Sequence, residues 1–251
     1  MQTVLFTIVN WDTQEEADNL KSILNYWQES SVYCFQPSFK FLVAGSYSDP
    51  KYNPIPEVTL LQSGFEKQFY PKTPINYWKC GLMCALHNFL SLNTSWDLVI
   101  YYHYCLLSSI KFESIYHQFL DLNKSMCAIN RITPYGTVMD TGLMIMKRSA
   151  VQKWILNSSA GFAYDTNGNR MSVEQEAQTI FENDIYNPFP NILSMHRYQT
   201  TAYQDTKQNP FNKRFDLTRE EFINNPIIFG YKHHCSENEL NEWKFKHPIE
   251  L

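Results

Sequence analysis

The sequence has no excess of positive charge: 21 Lys and Arg stand against 25 Asp and Glu, for a net charge of −4. A chain so balanced carries no basic field for nucleic acid, although a small anionic ligand can still be held at a local site. Long hydrophobic runs are missing too. The longest, near residues 98–107, falls well short of the roughly 20 apolar residues that span a bilayer. The apolar stretch Val4 to Val9 has no basic segment before it and is too short for a secretory signal core. The six cysteines, Cys34, Cys80, Cys84, Cys105, Cys127 and Cys235, lack zinc-knuckle spacing, and several lie in apolar segments, where a free thiol behaves as a small hydrophobe. No internal repeat or low-complexity tract is present. These absences imply a reduced, soluble, cytoplasmic protein that meets a membrane, if at all, through a partner or a surface patch.

What is present is a globular composition, 44% hydrophobic and 16% aromatic over 251 residues. That is enough for one well-filled α/β domain spanning 1–251, with a first half (1–125) and a second half plus carboxyl-terminal tail (126–251). The organising stretch is Asp97-Leu98-Val99-Ile100-Tyr101-Tyr102-His103-Tyr104-Cys105-Leu106-Leu107. It is rich in β-branched and aromatic residues and short, which predicts a central strand covered on both faces. Alternation along a strand would place His103 and Cys105 on one face and Tyr102 and Tyr104 on the other, at the carboxyl end where open α/β sheets bind ligands.

Strand and helix signals alternate along the chain. A first strand runs from Thr3 to Trp11; Thr13 and Glu16 make a capping box for a helix reaching about Gln28. Strands follow at Phe39 to Ser46 and Glu57 to Leu61, separated by a Pro- and Tyr-rich loop. Thr73-Pro74 starts a helix carrying Trp78, Leu82, Ala85 and Phe89. Beyond the central strand come a helix near Ile110 to Leu122, a strand from Met126 to Ile132, a turn at Pro134-Tyr135-Gly136, and a strand from Asp140 leading into a helix that Ser149 can cap. Asn157 to Arg170 reads as a mobile loop, and Ser172 with Gln175 as a second capping box. A strand at Ile192 to Tyr198, one at Ile227 to His234, and capping boxes at Thr218/Glu221 and Ser236/Glu239 complete the pattern. The alternation implies a twisted, mostly parallel sheet with helices on both sides.

Over roughly residues 3 to 200 this order resembles the GT-A (Rossmann-like) fold of nucleotide-sugar-dependent glycosyltransferases. The resemblance implies that Val9, Asn10 and Asp12 after the first strand, and Gly45 and Ser46 after the second, line the nucleotide. The segment "DLVIYYHYCLL" is similar to the family's acid-strand-DxD signature, with Asp97 as the opening acid and His103 and Cys105 where two metal-binding aspartates would stand. Carboxylates suit Mn²⁺ and Mg²⁺, whereas imidazole and thiolate are softer ligands that favour zinc. Three alternatives follow: a metal-independent enzyme, a divalent metal held through His103 with help from Cys105 and His233 or His234, or an inactive relative. Weak or absent metal dependence is the expectation.

The same resemblance makes "MDTGLMIMKRS" the segment where Gly142 lets the backbone approach the donor sugar and Asp140 bonds its hydroxyls. "SVEQEAQTIF" becomes an acidic helix start in which Glu174, rather than Glu176, serves as acceptor base. Lys79 is the candidate cation for the departing diphosphate, with Lys147 and Arg148 as alternatives. Tyr101, Tyr102, Tyr104 and Trp78 read as core, and His87 and His117 as ordinary helix residues. The implied activity is a hexosyl or pentosyl transferase moving a sugar from a nucleoside-diphosphate donor, UDP-based, to a glycan hydroxyl. A catalytically silent nucleotide- or glycan-binding module is the alternative. A Cys/His hydrolase using Cys105 and His103 is disfavoured, because the pair lacks an orienting acid and a nucleophile elbow.

Overall fold

Seven consecutive buried residues, Thr3–Val9, form β1 and set the plan of the molecule. A strand with no exposed face must be covered on both sides. Leu5 and Val9 turn to one apolar cluster, while Val4, Phe6 and Ile8 turn to another. The computed structural model describes residues 1–45, 48–62, 74–92, 95–133, 136–158, 163–169, 171–188, 219–229 and 237–248.

The strands β1, β2 (Phe39–Ala44), β3 (Thr59–Gln62), β4 (Leu98–Tyr102), β6 (Met126–Thr133), β7 (Gly136–Lys147) and β8 (Ile185–Tyr186) make a seven-stranded sheet in the order β3-β2-β1-β4-β7-β6-β8. β1 to β4 are mutually parallel, and β7 runs antiparallel to both β4 and β6. The expected mixed, mostly parallel sheet flanked by helices is therefore observed. Helices α1 (Gln14–Phe35) and α3 (Glu113–Asp121) contribute to the cluster on one face. Helices α2 (Pro74–Leu90), α4 (Arg148–Asn157) and α5 (Val173–Phe181) contribute to the other. On the second face, Phe6 meets Phe89 edge-on and Tyr101 at a tilt, with centroids 5.0 and 5.1 Å apart. Such ring pairs add about 0.5–1.5 kcal/mol each beyond simple area burial.

Several boundaries differ from the sequence expectation. α1 continues past Gln28 to Phe35, because the hydroxyls of Ser30 and Ser31 donate to the carbonyls of Trp27 and Gln28 inside the helix instead of breaking it. Ser149 does not cap α4; Lys147 occupies the cap position and supplies no side-chain bond. The capping boxes of Thr13/Glu16 and Ser172/Gln175 form as expected. The predicted strand at 192–198, the turn residues Pro134 and Tyr135, and the caps Thr218 and Ser236 lie outside the described residues.

The largest correction concerns the central run. It is two strands, β4 and β5 (Leu106–Ser108), joined by a turn at 103–105. β5 leaves the main sheet and pairs antiparallel with β9 (Ile227–Phe229). Helices α6 (Arg219–Asn224) and α7 (Glu237–Lys246) accompany β9: Ile223 of α6 and Trp243 of α7 are buried beside Cys105 and Leu107. No helix among the described residues is long and apolar enough to cross a membrane. Burial pushes the thiols of Cys34 and Cys127 up to about 12.

Candidate functional site

β1 has β2 on one side and β4 on the other. The chain therefore leaves the carboxyl end of β1 toward one side and returns on the other, opening the crevice where sheets of this kind bind ligands. Asn10, Gly45, the turn 103–105 and the stretch of β7 around Gly142 meet there.

The β1 side is tightly laced. The carbonyl of Val9 accepts from the Gly45 amide at 2.8 Å and from the Ser48 hydroxyl at 3.1 Å, and the Ser48 oxygen in turn accepts from the Trp11 amide at 3.1 Å. The Trp11 indole donates to the Asp49 carbonyl at 2.8 Å. Val9 thus acts as scaffold, with its side chain buried and its carbonyl taken. Asn10 is the exposed residue it presents, together with Asp12, whose amide donates to Glu16 at 2.5 Å. Ser46 lies outside the described residues.

Gly45 is required by this arrangement. A Cβ there would lie 1.8 Å from Asn10 Oδ1 and 2.7 Å from its Cγ. The Asn10 carboxamide would have to leave its place, which an exposed side chain can do at little cost to folding. Under the nucleotide-binding role proposed for this crevice, Gly45→Ala and Asn10→Ala should therefore each weaken binding by about tenfold while leaving the melting temperature nearly unchanged, and the double variant should be no worse than either single one. Additive losses in a titration series would show that the two residues act separately.

On the β4 side the ladder with β7 continues one residue past the strand, as the His103 amide donates to the Gly142 carbonyl at 2.9 Å. The chain then turns. The Tyr104 amide donates to Thr7 Oγ1 at 3.1 Å, and the Cys105 amide donates to His103 Nδ1 at 3.1 Å. A ring nitrogen that accepts cannot carry the proton, so the neutral imidazole holds it on Nε2. His103 stacks on Tyr104 with centroids 4.5 Å apart.

His103 and Cys105 accordingly do not share a strand face. The Cys105 side chain is fully buried with Ile23, Leu107, Ile223 and Trp243, which removes it from a metal or donor site and from any nucleophilic role. Among the described residues no group of three His, Cys, Asp or Glu is placed to hold a metal ion. His233, His234 and the side chain of Asp140, which belong to the expected ligand set or stand beside it, lie outside the described residues.

Asp97 is also misplaced by the signature reading. It precedes β4, so a strand rise of about 3.3 Å per residue puts it some 20 Å from His103. Its carboxylate accepts from the Gln2 amide at 2.7 Å and its carbonyl from Arg148. Lys147 and Arg148 share that distal edge, where Lys147 donates to the Leu122 carbonyl and Arg148 to that of Leu90. Lys79 lies in α2, which begins at the carboxyl edge, but its side chain is outside the described residues, as is that of Asp140 in β7.

α5 approaches β7 near Asp140, where the Met139 amide donates to Gln178 Oε1 at 3.3 Å. In its first turn Glu174 is half-buried, whereas Glu176 is only 3% exposed and accepts from the Ser158 hydroxyl at 3.3 Å. Tyr101 and Tyr102 are core residues as expected. Thr7, Trp27 and Ser48 are site-supporting residues that sequence reasoning missed. A lone hydroxyl in the apolar run of β1 is the signal that could have found Thr7.

No protein-family model matches the sequence, and no curated protein matches it. Solved structures do. The galactosyltransferase LgtC, in complex with donor and acceptor sugar analogues, aligns with a TM-score of 0.51 at 8% identity, over 99% of this chain and 96% of that one. The glycosyltransferase GlyE of Streptococcus pneumoniae TIGR4 aligns with a TM-score of 0.53 at 11% identity, over 98% of this chain and 60% of GlyE. The fold is the GT-A fold. The large open groove along α1, by contrast, lies away from the carboxyl-edge crevice.

Proposed function

We propose that this chain is a glycosyltransferase that moves a hexosyl or pentosyl group from a nucleoside-diphosphate donor, UDP-based in our reading, to a carbohydrate hydroxyl. The supporting observation is the convergence of Asn10, Gly45 and the His103–Gly142 contact at the β1/β4 switch point of a GT-A sheet. The nucleotide lies against Asn10 and Asp12, with the diphosphate toward His103. The Nε2–H of His103 donates to the departing phosphate, Lys79 supplies positive charge to it, and no step runs through a metal. Gly142 gives the donor sugar room, and Asp140 accepts from its hydroxyls. Glu174 orients the acceptor hydroxyl and takes its proton as the new bond to the anomeric carbon forms. The electron pair of the broken bond leaves with the nucleoside diphosphate.

The test is a thermal-shift and donor-hydrolysis panel of nucleoside diphosphates and nucleotide sugars, each with Mn²⁺, Mg²⁺ or EDTA. One nucleotide at 100 times its Kd should add about 2.7 kcal/mol of apparent stability, and one sugar derivative should be slowly hydrolysed. Silence across the whole panel would overturn the reading in favour of a glycan-binding module without catalysis.

His103→Asp probes the metal question directly. An aspartate oxygen can accept the amide two residues on, so the turn survives, and it adds a hard oxygen ligand. Nucleotide binding by the variant should become several-fold tighter in Mn²⁺ than in EDTA. An unchanged metal response would remove residue 103 from the diphosphate site.

A further inference from the structure

α1 turns one face to the core through Leu24, Trp27, Ser31 and Cys34, and its opposite face forms the wall of an open groove of about 810 Å³. Two rows at i+4 spacing build that wall, Lys21-Asn25-Glu29-Tyr33 and Gln28-Val32-Gln36. From Lys21 to Gln36 the helix rises about 22 Å, so the groove is elongated and suits a chain-like ligand.

Its chemistry is specific. Three lysines (Lys21, Lys40, Lys111) and three glutamates (Glu29, Glu57, Glu113) line it, and among the described residues none of the six pairs with another within 4.0 Å. The opposed charges leave no net field for a polyanion, yet each keeps its hydrogen-bonding capacity facing the groove. Asn25, Gln28 and Gln36 add amides that both donate and accept. The apolar side chains are Val32 and Tyr33, with the Lys111 ammonium 5.0 Å over the Tyr33 ring, and the methylene stems of the lysines, glutamates and glutamines make most of the wall apolar. Apolar stems topped by polar heads match a sugar ring, whose C–H faces lie against the stems while its hydroxyls meet the heads. A hydroxyl donates one hydrogen bond and accepts others, so neighbouring hydroxyls on a sugar ring can give to a glutamate and receive from a lysine in turn. We infer that the α1 groove is a binding site for a neutral, linear oligosaccharide, separate from the crevice at the strand ends.

The inference does not depend on the proposed transfer reaction. The experiment is isothermal titration and saturation-transfer NMR with neutral tetra- to hexasaccharides of glucose, galactose, mannose and N-acetylglucosamine, with oligogalacturonate and an uncharged peptide as comparators. One neutral series should bind. Asn25→Ala, Glu57→Gln and Lys111→Met, all at exposed positions, should each raise its Kd by about three- to tenfold without moving the melting temperature. Saturating UDP should leave that binding unchanged. Loss of binding on adding UDP would place the sugar in the crevice and overturn the proposal. So would tighter binding of oligogalacturonate or peptide, affinity unaltered in all three variants, or no binding by any neutral sugar.

Discussion

Trp27→Ala should lower the unfolding free energy by about 3–5 kcal/mol, a large part of the 5–15 kcal/mol or so that holds a typical domain folded. Trp27 is wholly buried among the residues that join α1 to the sheet, and its indole donates to the Tyr102 carbonyl at 2.9 Å. That carbonyl is the last of β4, immediately before the His103 turn. The alanine variant loses the ring, leaves a cavity and strands a buried acceptor. Trp27→Phe separates these effects, since it keeps a ring but cannot donate. It should cost about 1–3 kcal/mol and should also raise the Kd for nucleotide, because the carboxyl end of β4 is no longer held from below. Urea unfolding gives the first quantity and titration well below the transition gives the second. A phenylalanine variant unchanged in both would mean that the indole bond does not position the turn.

Asp140→Ala and Glu174→Ala should each reduce turnover by about 10²- to 10⁴-fold, the range of a lost acid–base or positioning group, with thermal stability almost unaltered. Glu176→Ala should do the reverse. Glu176 is buried in the first turn of α5, and it accepts from Ser158 at the end of α4. Removing it loosens the α4–α5 contact and costs stability, with turnover falling only as the folded fraction falls. Kinetics and melting curves on the same three variants decide the matter. Equal losses of activity and stability at positions 140 and 174 would reassign both residues to structure.

The contrast between Glu174 and Glu176 shows what periodicity can and cannot convey. The stripe Val173, Ala177, Ile180 and Phe181 identified the helix and its capping box, and two glutamates flanking a stripe left either free to face inward. Which one does so depends on where Ser158 stands, and Ser158 is placed by a different helix. The central run fails as a single strand for a similar reason. Tyr104 and Cys105 are as apolar or aromatic as the residues before them, and a single histidine is too weak a local signal to end a strand by itself. The stop comes one residue after the ladder's last bond, where Thr7, distant in sequence, takes the Tyr104 amide and the Cys105 amide turns back to His103 Nδ1.

By itself the sequence determined the alternation of strands and helices, two of the helix caps and the burial of β4 on both faces. Each of these follows from the spacing of apolar side chains and from hydrogen bonds closed within a few residues. Only the tertiary structure decided the antiparallel insertion of β7, the burial of Cys105, the distal position of Asp97 and the contact that requires glycine at 45. Those depend on partners far away in the chain, and a hydrogen bond or steric limit between distant residues exists only once the fold has brought them together.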